Sequence, residues 1–184
     1  MGLRRSPVLR ALRGRHRPPR SRRRPDRRDR TAAVLGSQAG PLVIARCLCG
    51  GIEAELTPPT LESAHCHCDY CRRAHGAAFV TWLLVPEAQF RLTRGEQELR
   101  WYRSSEQSRR AFCPTCGSSM LFMSELCPGE VHVARALVEG DVDHEPAAHC
   151  FSDQKVPWAS VDDDLPDLDS DSELLAHYKK VHPC

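Results

Sequence analysis

Apolar residues come in short, punctuated runs, a pattern that predicts strands and little helix. Gly51–Leu56 alternates, with Ile52, Ala54 and Leu56 on one face, and Thr57-Pro-Pro-Thr60 ends it. Ala78–Val85 is nearly continuous in apolar residues, which suits a strand buried on both faces. Gln89–Leu92 and Leu99–Arg103 flank a turn around Gly95. Ala111–Phe112 and Met120–Met123 bracket a cysteine knuckle. Glu130–Val138 alternates again, with Val131, Val133 and Leu137 on one side. Helical signal is confined to one or two turns over Asp69–His75 and to Ser172–Val181, where Leu174, Tyr178 and Val181 are helically spaced. The expected fold class is mainly β with few short helices. Residues 41–166 form the folded unit, and 167–184 an acidic linker with a short terminal helix.

Charge separates off residues 1–40 as a disordered, arginine- and proline-rich tail and linker. Residues 1–30 hold thirteen arginines and two aspartates, so the rest of the chain carries about −9 although the total is +2. The tail could meet nucleic acid through counterion release, but long like-charge blocks are usually just solvated and disordered. Nucleic acid is therefore expected, if at all, only through residues 1–30. Gly36, Ser37, Gln38, Gly40 and Pro41 interrupt the one apolar stretch after the tail, which argues against a signal peptide. No run approaches a membrane span. A cytoplasmic protein is expected, without membrane contact.

Ten cysteines in a chain with no export signal point to metal ligation more than to disulfides. Seven of them cluster: Cys47-Leu-Cys49-Gly50-Gly51, Cys66-His-Cys68-Asp-Tyr-Cys71 and Cys113-Pro-Thr-Cys116-Gly117. A Cys-x-x-Cys pair followed by glycine makes a tight knuckle that supplies two of the four ligands tetrahedral zinc needs. Pairing Cys47 and Cys49 with Cys113 and Cys116 closes one four-sulfur, structural site. Cys66, Cys68 and Cys71 then remain as three thiolates with an open fourth position, the arrangement of a catalytic zinc. A triplet closed by His65, His67 or His75, or sharing the Cys113 pair, stays open as an alternative. Cys127, Cys150 and Cys184 are unclustered and read as plain thiols.

An open three-thiolate zinc is a weak Lewis acid suited to a soft fourth ligand such as a substrate thiol, which would ionise there near neutral pH. The neighbouring Arg72 and Arg73 are candidate partners for substrate carboxylates, although a solvated pair would look the same in sequence.

These motifs resemble the glutathione-dependent formaldehyde-activating enzyme family, which also includes centromere protein V. The likeness runs from about Ala45 to Pro166. It comprises the three cysteine groups in order, Gly76, Phe112 before the third group, and the late Pro146, His149, Lys155 and Trp158. It implies an Mss4-like fold built of β-sheets. It also implies two zinc ions, structural on Cys47, Cys49, Cys113 and Cys116 and catalytic on Cys66, Cys68 and Cys71. The implied activity is a carbon–sulfur lyase, condensing glutathione with formaldehyde to S-hydroxymethylglutathione. Two competing functions are a zinc or thiol carrier without turnover and a nucleic-acid-associated protein acting through the arginine tail. Fold and site alone do not fix the substrate.

Overall fold

The computed structural model describes residues 42–176 and 178. The expectations for the tail and for the end of the chain beyond Tyr178 lie outside the described residues. Two sheets make up the fold. The smaller contains β1 (Val43–Arg46), β2 (Glu53–Leu56), β5 (Phe90–Arg94) and β10 (Val138–Glu139), in the order β10-β1-β2-β5. The larger contains β3 (Glu62–Cys66), β4 (Val80–Pro86), β6 (Arg100–Arg103), β7 (Ser108–Phe112), β8 (Ser119–Ser124), β9 (Glu130–Ala134), β11 (His149–Cys150) and β12 (Asp167–Leu168). Its order is β12-β11-β3-β4-β9-β8-β7-β6. The single α-helix among the described residues is α1 (Asp69–His75).

The middle of the larger sheet is walled on both faces, and β4 shows why. Leu83 and Val85 point into a core shared with Val43, Ala45, Ile52 and Leu56 of the smaller sheet and its approach. Trp82 and Leu84 point the other way, into a second core with Phe122, Phe151, Leu168 and Leu175. A strand walled on both sides has no polar face to show, which is the origin of its unbroken apolar run. Each fully buried Leu or Val contributes about 1.5–3 kcal/mol relative to exposure. The second core is where the helix and the Cys66 group sit.

Two sequence expectations are revised, and one strand was not foreseen. The alternation over Glu130–Val138 is not one strand: β9 ends at Ala134 and a 3-10 turn, Arg135–Leu137, carries the chain across to the smaller sheet as β10. Leu137 therefore lies at the corner and packs against both cores. Of the stretch expected as helix over Ser172–Val181, the described residues form a 3-10 turn at Glu173–Leu175, capped by the Ser172 side chain. Leu174 and Tyr178 still face the second core. Strand β3, Glu-Ser-Ala-His-Cys, has no apolar alternation to announce it. It forms because β4 and β11 pair with it on both sides.

Candidate metal centres

The first knuckle follows β1 and the third links β7 to β8, and the fold docks them on each other. Leu48 N–H donates to Ser118 Oγ at 3.0 Å, joining the two loops. Within the loops, Gly50 N–H donates to the Cys47 carbonyl and Gly117 N–H to that of Cys113. Gly117 has φ +75°, a left-handed conformation that a side chain would strain. The result brings Cys47, Cys49, Cys113 and Cys116 within 4.8 Å of one another. Cys47 and Cys49 sulfurs are 3.5 Å apart, and those of Cys49 and Cys113 3.8 Å. Hydrogen bonds from Ser118 side chain and backbone hold the Cys116 thiol down at about 5. Cys49 is pushed up to about 11 by its contacts with Cys47 and Cys116, although the Gly51 N–H works against that.

The second group is built at a strand-to-helix junction. Cys66 ends β3, Cys68 caps α1 by accepting from Cys71 N–H at 3.4 Å, and Cys71 lies one turn into the helix. Cys66 Sγ donates to Cys68 Sγ at 3.4 Å. All three are buried and gathered within 4.8 Å of one another. Contacts with Cys68 and Cys71, together with burial, push the Cys66 thiol well up. Without a cation, Cys66 and Cys68 hold their protons.

Both groups suit zinc by donor chemistry. A tetrahedral Zn–S length of about 2.3 Å sets sulfurs about 3.8 Å apart. The measured separations, 3.4–3.8 Å, lie at or just inside that spacing.

The surroundings of Cys71 were not foreseen from sequence. Trp82 Nε1 donates to its sulfur at 3.4 Å and Arg110 Nη2 at 3.6 Å. Arg110 is only 5% exposed, and its Nε and Nη1 have no hydrogen-bond partner among the described residues. Cys71 also borders an apolar cavity of about 70 Å³ walled by Cys66, Trp82, Leu84, Phe122 and Phe151. Arg110 and Arg73 line a separate cleft of about 650 Å³ with Tyr102 and Ser119.

Arg72 and Arg73 occupy different settings. Arg72 Nε donates to the His67 carbonyl at 2.9 Å and its Nη2 lies 3.5 Å from Asp69, so it fastens the ligand loop. Arg73 pairs with Asp69 at 2.9 Å and is largely exposed.

The histidines form a relay beside the triplet. His67 Nε2 lies 2.8 Å from His149 Nδ1, and His149 Nε2 lies 2.9 Å from Asp163 Oδ1. The carboxylate can only accept, so His149 carries its proton on Nε2 and, when neutral, accepts from His67. Burial, then His149, lowers His67 to about 4. His65 is lowered for the same reasons and bonds Thr81 Oγ1 at 2.8 Å. Within that 4.8 Å span the triplet is three sulfurs, joined by no histidine.

A mainly-β fold carrying a four-sulfur and a three-sulfur group defines a cysteine-rich protein able to hold metal at two places. A sequence model of the glutathione-dependent formaldehyde-activating enzyme family matches residues 42–154, more than half of the chain, and the protein belongs to that family. The fold is accordingly Mss4-like. No curated protein matches the sequence. A solved Rhodobacter sphaeroides protein is 27% identical over 54% of this chain and 91% of its own, with a TM-score of 0.46. No helix among the described residues is long and apolar enough to cross a membrane.

Proposed function

We propose that this protein is a zinc-dependent carbon–sulfur lyase that condenses glutathione with formaldehyde to S-hydroxymethylglutathione, with one structural and one catalytic zinc. The observation that carries this reading is the sulfur count: four gathered cysteines close one site, while Cys66, Cys68 and Cys71 leave a tetrahedral ion one ligand short. Zinc, when bound, supplies a Lewis acid that lowers the pKa of a ligating thiol.

The chain's own residues supply binding and exclusion of water. The cleft of about 650 Å³ falls in the usual range of ligand pockets, about 300–1,000 Å³. Arg73, largely exposed there, offers a guanidinium group to a carboxylate of the tripeptide. Arg72 acts on the loop by holding the His67 carbonyl. The small cavity on the other side of Cys71 has room for a one-carbon aldehyde but not for glutathione. Its Trp82, Leu84 and Phe122 walls keep water from the carbonyl. The cavity borders Cys71, and Arg110, which lines the cleft, contacts the Cys71 sulfur. The thiol sulfur attacks the carbonyl carbon. A carbon–sulfur bond forms, the carbonyl π pair moves to oxygen, and the oxygen takes up the proton that the thiol lost.

This chemistry suits the cytoplasm, where glutathione keeps thiols reduced. The test is the rate of adduct formation from glutathione and formaldehyde with and without the protein. A zinc-dependent acceleration supports the assignment. Thiol binding with an unchanged rate would instead mark a carrier and overturn it.

A further inference from the structure

Cys127 reads as a plain thiol in the sequence, but the fold gives it company. It sits in the hairpin between β8 and β9, where its N–H donates to the Ser124 carbonyl at 3.0 Å and its own carbonyl accepts from Glu130 N–H at 3.3 Å. Glu130 and His132 are two apart on β9, so both side chains leave the same face. The hairpin turns Cys127 over that face. Its sulfur, a Glu130 carboxylate oxygen and a His132 ring nitrogen all lie within 4.8 Å of one another. His132 Nε2 is 3.2 Å from Glu130 Oε2, and Tyr178 Oη donates to the same oxygen at 3.4 Å.

We propose that Cys127, Glu130 and His132 form a third cation site, separate from the two all-sulfur groups and selective for zinc-class divalent ions. Thiolate, imidazole and carboxylate together suit a borderline-soft cation and not magnesium or calcium, which want oxygen alone. Zinc ligands stand about 3–4 Å apart, so side-chain rotations of about 1 Å close the set. All three ligands come from six consecutive residues of one hairpin, which makes ordering them cheap in chain entropy. Cys127 and His132 are buried, and this limits competition from water. Access comes from a groove of about 520 Å³ that Cys127 and Glu130 border. Glu87, Glu106 and Glu125 line it together with Arg103 and Arg109, so with Glu130 its charged groups are acidic in balance and favour cations. With three protein ligands, the fourth position is left to water from that groove. Through Tyr178 the filled site also fastens the segment after β12 onto β9.

The experiment compares metal uptake of the full chain with that of Cys127→Ala and His132→Gln. Each protein is purified from zinc- or cobalt-supplemented culture without a chelating step, assayed for bound metal, and checked for its fold by circular dichroism. The wild type should take up one equivalent more than either variant. That equivalent should leave first under chelator titration, because it has one thiolate against three or four. In the cobalt form, Cys127→Ala should lose the share of thiolate-to-cobalt absorption belonging to one sulfur. Only the difference between chains matters, so the result does not depend on whether the all-sulfur groups fill. Should either variant fail to fold, Glu130→Gln, at a half-buried position, gives the same comparison. Equal uptake and equal cobalt spectra in folded wild type and variants overturn the site and leave a hydrogen-bonded Cys–Glu–His cluster.

Discussion

Arg110 Nη2 donates to Cys71 Sγ across 3.6 Å, tying β7 to α1. A guanidinium this buried is costly unless an anion stands beside it. Three thiolates around a bound dication would carry one net negative charge and meet that need. Replacing Arg110 by Met should weaken zinc at the Cys66 group by about 10–100-fold, the usual effect of losing an outer partner of a metal ligand. Lys keeps the charge but not the fork and should recover part of the loss. Chelator competition against the wild type measures both. Unchanged affinity in Arg110→Met would show that the contact does not tune the site.

Cys113→Ser and Cys66→Ser should fail differently. Cys113 belongs to the four-sulfur group that joins the β1 loop to the β7–β8 turn. Structural zinc contributes on the order of 10 kcal/mol, so this variant should express poorly or melt far lower. Cys66→Ser should stay folded while losing one zinc equivalent and the activity. Thermal melts and metal analysis would tell them apart, and equal unfolding of the two would erase the distinction between structural and catalytic groups.

A thiol that ligates zinc must ionise, so glutathione binding should release about one proton at neutral pH. Calorimetry in two buffers of different ionisation enthalpy measures this. S-methylglutathione should bind far more weakly. Arg73→Ala should weaken glutathione more than a small uncharged thiol. Equal affinity for glutathione and its S-methyl form would rule out ligation through sulfur.

Gly95 has φ +69°, and a Cβ built there would stand 2.3 Å from the Gly51 carbonyl oxygen. That oxygen belongs to backbone beside the first knuckle, so it cannot swing aside. Gly95→Ala should cost more than the roughly 1–3 kcal/mol of a strained left-handed residue alone. Chemical denaturation gives the number, and a loss below 1 kcal/mol would mean the turn rearranges freely.

Burial lowers His75 to about 4, and the ring stays close to Ser119 Oγ at 3.1 Å. The unfolded chain binds a proton near 6.5 and the folded one does not until about 4. Stability from this residue is therefore complete above 6.5 and falls as pH drops from 6.5 to 4. His75→Gln should flatten the melting-temperature profile across that window relative to wild type. Parallel profiles would show that the ring charges without penalty.

The cysteine groups were legible in the sequence because ligand spacing is local: a knuckle or a strand-to-helix turn brings its own sulfurs together. Strand β4 was legible through its apolar run. Strand β3 was not, since Glu62-Ser-Ala-His-Cys66 owes its state to neighbours on both sides. Arg110 and Cys71 are 39 positions apart, and His67 and His149 are 82 apart. No local pattern encodes such meetings, which arise only once strand order is set. The Glu130–Val138 alternation misled because a 3-10 corner can continue the apolar rhythm while changing sheets.

Consecutive residues of β4 serve different cores, Leu83 and Val85 on one side and Trp82 and Leu84 on the other. Inserting or deleting one residue in that strand would exchange the two sets, sending Trp82 between the sheets and a leucine to the thiolates. The indole N–H would lose Cys71, and a large ring would enter a space sized for Leu83. Lineages of this fold can therefore lengthen or shorten their loops, but β4 must keep its length and phase while its individual apolar residues drift.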